Sequence, residues 1–264
     1  MQLARRLTKE DVTFLCLSIL LVLTLGAANQ SGRERAKRAV CLANVGQLTR
    51  AWNLYADDNA GKIVNGDTQE YAAMYQPGLS PAQSHYREPP WVAMDWISGT
   101  TIQQKKAAIM AGALFQYTED VRFYRCTLGG PTDTRGYSIV DAMNCKGWDP
   151  GGVMVKNKSE IEQPGERFVF IDHGGDAINL MGGWTCYVSE DRWWDPPPVH
   201  HNAGTNFSFA DGHGEYWKWK DPRTMEFGKQ GASFSKQQSG NVDIHRTSLA
   251  AWGKLPSAPN RKTR

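Results

Sequence analysis

Cys41, Cys126, Cys145 and Cys186 are the thiols outside an apolar N-terminal run, and a fifth, Cys16, lies inside it. An even set in an oxidising compartment suits disulfides; four cysteines allow three pairings, and buried free thiols are the other reading. None of the four stands in a CxxC pair, which argues against a zinc site. A second group with chemical capacity is Asp172, His173, Asp176, His200, His201, Asp211 and His213, the types a metal hydrolase would use. No HExxH, GxSxG or Walker segment accompanies them, so no enzyme and no catalytic residue is expected. Calcium is the ion the loop carboxylates Asp172, Asp176 and Asp211 would suit, although their spacing makes no EF-hand. No other cofactor is implied. Trp184, Trp193, Trp194, Trp217 and Trp219 could stack on sugar or bind protein, but packing is the commoner use of such side chains.

Those residues need elements to hold them. The run Val12–Ala28 carries no charge and is near the short end of a membrane span. A signal anchor, a cleaved signal peptide and a core helix compete for it, and its flanks favour the anchor. Residues 1–38 have a net charge of +4 and the remainder −1, so the body offers no footprint for nucleic acid. Cys41, Val45, Leu48, Trp52 and Tyr55 form one helical seam, which predicts a helix continuing to about residue 58. Further expectations are a loop from Lys62 to about Pro90, a helix over Thr101–Tyr117, and strands at Arg122–Cys126, Gly136–Ile139 and Arg167–Ile171. The region Trp184–Pro198 reads as a loop, and residues 253–264 as a disordered tail.

The strongest local pattern is Asp211-Gly212 between two alternating aromatic runs. It predicts a two-residue hairpin turn with Phe209 opposite Gly214, Phe207 opposite Tyr216 and Asn206 opposite Trp217.

Residues 201–212 read His201, nine residues, then Asp211-Gly212. This resembles the H-X9-DG domain of prepilin-type proteins. Arg33–Leu48 resembles that family's post-membrane helix, Tyr55–Lys62 its helix end, Phe123-Tyr124-Arg125-Cys126 its aromatic-Arg-Cys strand, and Phe168–Asp172 its later strand. The match runs in order over roughly residues 7–220. No glycine precedes Gly26, whereas a prepilin leader ends in Gly followed by Phe, so the leader is degenerate. The resemblance implies an α+β fold, with a long N-terminal helix packed on an antiparallel β-sheet as in pilins. It divides the chain into a short basic N-terminus (1–11), a transmembrane anchor (12–28), an exported pilin-like domain (29–252) and the tail (253–264).

The function it implies is non-enzymatic: a pseudopilin-like structural or accessory subunit of a type II secretion or type IV pilus-like assembly. Its partners would be the membrane and other pilin-like subunits or secretion machinery. The expected location is the bacterial inner membrane, single-pass, with the N-terminus cytoplasmic and the domain periplasmic or extracellular. The alternative is a membrane-tethered binding module that displays its Trp-rich loops to polysaccharide or protein. Of the disulfide pairings, Cys41–Cys126 with Cys145–Cys186 is preferred, because the Cys126 strand should cover the helix seam that carries Cys41.

Overall fold

A computed structural model describes residues 9–68, 88–93, 101–145, 154–173, 182–188, 190–230 and 235–254, with the side chains of the first helix described throughout from residue 32. That helix, α1 (Lys9–Asp58), runs unbroken for 50 residues. No proline interrupts it, and alanines at 36, 39, 43 and 51 favour it. It ends where Ala60 and Gly61 turn to positive φ and the Gly61 N–H closes back on the Ala56 carbonyl at 2.8 Å. The predicted seam is the packed face: Cys41, Val45, Leu48 and Trp52 are fully buried, and Tyr55 nearly so.

The expected membrane anchor is overturned. Among the described residues no helix is long and apolar enough to cross a membrane. The apolar run 12–28 would span about 26 Å as helix, against a hydrocarbon core of roughly 30 Å. Beyond it α1 continues through Arg33, Glu34, Arg35, Lys37 and Arg38. The single-pass inner-membrane placement falls with the anchor.

The main sheet has five strands in the order β3-β1-β2-β5-β6: β1 (Tyr137–Val140), β2 (Phe168–Asp172), β3 (Gly183–Trp184), β5 (Gly204–Phe209) and β6 (Gly214–Lys218). β4 (Arg192–Trp193) pairs separately with β7 (Lys236–Gln237). The pairs β1–β2, β2–β5 and β5–β6 are antiparallel as expected, but β3 joins β1 in parallel, so the sheet is mixed. The strands expected near 136–139 and 167–171 are β1 and β2. The strand expected at 122–126 is instead a 3-10 turn over Val121–Tyr124, because Asp120 caps it by accepting the Arg122 N–H at 2.8 Å. The helix expected over 101–117 divides into α2 (Ile102–Met110), opened by a Thr101/Gln104 capping box, and α3 (Phe115–Thr118). Between them Gly112 backs onto the Trp91 carbonyl so closely that a Cβ would lie 2.2 Å from its oxygen.

The β5–β6 hairpin departs from the expected register by one residue. Asn206 faces Tyr216, Phe207 faces Glu215 and Ser208 faces Gly214. Phe209 accepts from the Gly212 N–H at 2.8 Å and donates to the His213 carbonyl at 2.9 Å. Only Gly212 of the loop has positive φ (99°), so the turn is a three-residue loop with a glycine bulge. The slip sorts the faces. Phe207, Phe209, Trp217 and Trp219 share one side, with the Phe207 and Trp217 rings 4.5 Å apart. Small and polar residues line the other side, against α1: Ser208 meets Thr49 at 2.5 Å, and a Cβ on Gly214 would lie 2.9 Å from the Leu42 side chain.

Two C-terminal helices not foreseen from the sequence follow: α4 (Pro222–Gln230) and α5 (Val242–Trp252). α5 starts on an Asn241 cap and ends at Gly253 (φ 71°). It is tied to the sheet by the Arg167 guanidinium donating to the Ala251 carbonyl at 2.8 and 3.2 Å, and by the Trp252 indole donating to the Cys186 carbonyl at 3.0 Å. The tail expected at 253–264 lies outside the described residues beyond Lys254.

Candidate functional site

Four elements bring one reactive side chain each to a single buried point. Cys41 comes from the packed face of α1, and Cys126 from the segment that follows the 3-10 turn. Asp172 ends β2, and His201 stands three residues before β5. Their potential ligand atoms all lie within 4.8 Å of one another. The two Sγ atoms are 3.4 Å apart, Cys126 Sγ is 3.6 Å from His201 Nε2, and His201 Nε2 is 2.8 Å from Asp172 Oδ2. Cys41, Cys126 and Asp172 are fully buried and His201 is 2% exposed.

Each group is held in place. The Thr127 N–H donates to Cys41 Sγ at 3.2 Å, and the Leu128 N–H donates to Cys126 Sγ at 3.4 Å. Asn206 Nδ2 donates to Asp172 Oδ2 at 3.3 Å, and the Thr205 hydroxyl donates to the Asp172 carbonyl. Tyr216 fixes the backbone of His201 by donating to its carbonyl at 2.7 Å. The electrostatics follow. The hydrogen bond with Cys126 pulls the Cys41 thiol down to about 5, against burial and with help from His201 and Thr127. The same bond, together with burial, pushes the Cys126 thiol far up. Burial works against the His201 imidazolium, yet Asp172 and Cys41 raise its pKa to about 9. A thiolate, a carboxylate and an imidazole in one pocket can do three things: bind a borderline-soft cation, exchange protons, or oxidise the sulfurs to a disulfide.

The expected site residues are thereby sorted. Cys41 and Cys126 meet as thiols without a disulfide between them; Cys145 and Cys186 are buried elsewhere and are likewise not in a disulfide. The calcium set does not assemble. Asp172 is in the buried cluster, whereas Asp211 is exposed at the hairpin tip, bonded to the His213 ring at 2.6 Å. Asp176 lies outside the described residues. The two ends of the His201–Gly212 pattern are likewise apart: β5 runs between them, so His201 serves the cluster and Asp211-Gly212 serve the turn. Trp184, Trp193, Trp217 and Trp219 are buried, and Trp184, Trp193 and Trp219 pack edge to face in series.

A second buried group surrounds Asp141, just past β1. Among the described residues, none donates a well-formed hydrogen bond to either Asp141 oxygen. Burial pushes this carboxyl far up, Asp195 adding to the effect and Thr185 and Cys145 resisting it. Burial also raises Asp195 to about 7, although its Oδ2 accepts the Thr185 N–H at 2.6 Å. The Cys186 thiol is pushed up by burial and by Asp141.

No family model, curated protein or solved structure matches the chain.

Proposed function

We propose that the chain is a non-enzymatic, pilin-like structural or accessory subunit that assembles with further copies of itself through α1. The observation that carries this reading is the contrast along that one helix. From Cys41 to Ala56 one face of it is packed against the domain, while Gly32, Ala36, Ala39, Val40 and Ala43 are exposed. Val40 is 50% exposed and stands among small residues, the kind of surface that lets a second helix approach closely. The Trp-display alternative has less support, because Trp184, Trp193, Trp217 and Trp219 are buried and only Trp194 of the five is partly exposed. The order of His201, Asp211-Gly212 and the α1 segment, resembling prepilin-type proteins, supports the same reading.

Sedimentation of the full-length chain tests it. Association that rises with concentration, and falls with Val40→Asp at unchanged circular dichroism, is the expected result. A monomer at every concentration would count decisively against the proposal.

A further inference from the structure

We propose that Cys41, Cys126, Asp172 and His201 form a four-ligand site for one structural Zn2+ ion, fastening α1 to the sheet. The geometry is already close to what zinc needs. Tetrahedral bonds of about 2.0–2.1 Å to nitrogen and oxygen and 2.3 Å to sulfur place ligand atoms roughly 3.3–3.8 Å apart. The S–S and S–N separations of 3.4 and 3.6 Å fall in that range. The two sulfurs must part by a few tenths of an ångström toward the roughly 3.8 Å of a tetrahedral sulfur pair, and the Asp172–His201 contact of 2.8 Å must open, exchanging a hydrogen bond for two metal bonds.

The surroundings also fit a metal better than a disulfide. Each sulfur accepts a backbone N–H, from Thr127 and Leu128, an arrangement that stabilises thiolates and is characteristic of the outer shell of thiolate-bound metals. Asn206 does the same for the Asp172 carboxylate. Two soft thiolates and an imidazole select zinc over calcium or magnesium, and zinc also accepts the one hard carboxylate oxygen. All four positions are filled by protein and buried, so the site is closed in the manner of structural zinc and leaves no place for a substrate. His201 also borders a surface cavity of about 500 Å3 lined by Glu34, Arg35, Arg38, Tyr216 and Lys218, which is the side of the cluster nearest to solvent. On binding, the protons held by the Cys126 thiol and by His201 Nε2 leave to the buffer while four metal–ligand bonds form; no electrons are transferred.

The test uses the full-length chain purified under reducing conditions without chelator. Zn2+ is titrated against a chromophoric chelator, and Co2+ is substituted to look for thiolate-to-cobalt charge-transfer absorption. Expected results are one Zn2+ per chain, a cobalt–thiolate band, and a higher melting temperature with added Zn2+. Cys126→Ser, which leaves Cys41 as the one thiolate of the cluster, should lower the band by at least half. Asp172→Asn, which keeps a polar acceptor at this position and is the safer variant for folding, should weaken Zn2+ at least tenfold. Failure of the wild-type chain to bind Zn2+ overturns the proposal. So does wild-type Zn2+ affinity in Asp172→Asn, or a Cys41–Cys126 cross-linked peptide in protein isolated without reductant.

Discussion

Two buried clusters sit at opposite ends of β1, each with two cysteines and at least one aspartate nearby, and they treat charge in opposite ways. At the Tyr137 end, Asp172 meets His201 and Asn206 Nδ2, and both sulfurs accept backbone N–H groups. At the Val140 end, no described residue gives Asp141 a well-formed donor, and Asp195 has the Thr185 N–H. The first cluster can hold ionised groups; the second forces its acids toward the neutral form. Composition does not separate them, for both contain thiols and carboxylates. The donors around them do.

The comparison breaks most visibly at His201. His201→Ala leaves the Asp172 carboxylate buried without its cationic partner, and the expected loss is about 3–5 kcal/mol in denaturant unfolding. A loss below 1 kcal/mol would mean that the first cluster is no more interdependent than the second.

Next in size is the pH response of Asp195. Its folded pKa of about 7 stands above the ordinary 3.8. A carboxyl raised in this way is neutral in the fold where the unfolded chain would ionise. Its stabilising contribution is therefore complete below pH 4 and lost as pH rises toward 7. Asp195→Asn should remove this slope and stabilise the protein above pH 7 by on the order of 3 kcal/mol, since Asn still accepts the Thr185 N–H. Melting temperatures of both proteins from pH 4 to 8 check it, and parallel curves would refute it.

Gly183→Ala probes packing in the second cluster alone. The new Cβ would lie 2.3 Å from Cys145 Sγ, so a cost of about 1–3 kcal/mol is expected. Thiol reactivity should rise at Cys145 and stay unchanged at Cys41. Smallest is Asn206→Ala, which removes one donor from Asp172 in the first cluster and should cost about 1–1.5 kcal/mol. Urea midpoints resolve that difference, and a neutral result would show that the His201 contact suffices.

All four members of the first cluster were visible in the sequence, but as two unconnected sets: Cys41 and Cys126 as disulfide partners, and Asp172 and His201 among the seven Asp and His residues that a metal hydrolase would use. Local spacing could not unite them, because the ligands come from four segments of the chain and only the fold closes the distances. The helical seam from Cys41 to Tyr55 and the strands β1 and β2 were readable, since periodicity and apolar runs are local signals. The hairpin register was not, because Asp-Gly fits a two-residue turn and a three-residue bulged loop equally well. The strand expected at 122–126 failed to a single cap, Asp120. The membrane span failed because its apolar stretch is short and α1 runs past it into charged sequence.

The 50 residues of α1 have a mechanical consequence. Cys41 is its first fully buried side chain after the exposed and half-buried stretch 32–40. At 1.5 Å per residue, about 48 Å of helix lies before Cys41 and about 27 Å from Cys41 to Asp58. The stretch before Cys41 is therefore nearly twice as long as the stretch from Cys41 to the end of the helix. The body takes hold of α1 at Lys37 and Arg38, whose carbonyls accept from the Thr127 hydroxyl and Asn206 Nδ2, and the hold becomes a buried one at Cys41, beside Cys126, Asp172 and His201, so the stiffness of these contacts sets how much of a tug on the helix reaches the sheet and how much is lost as tilt.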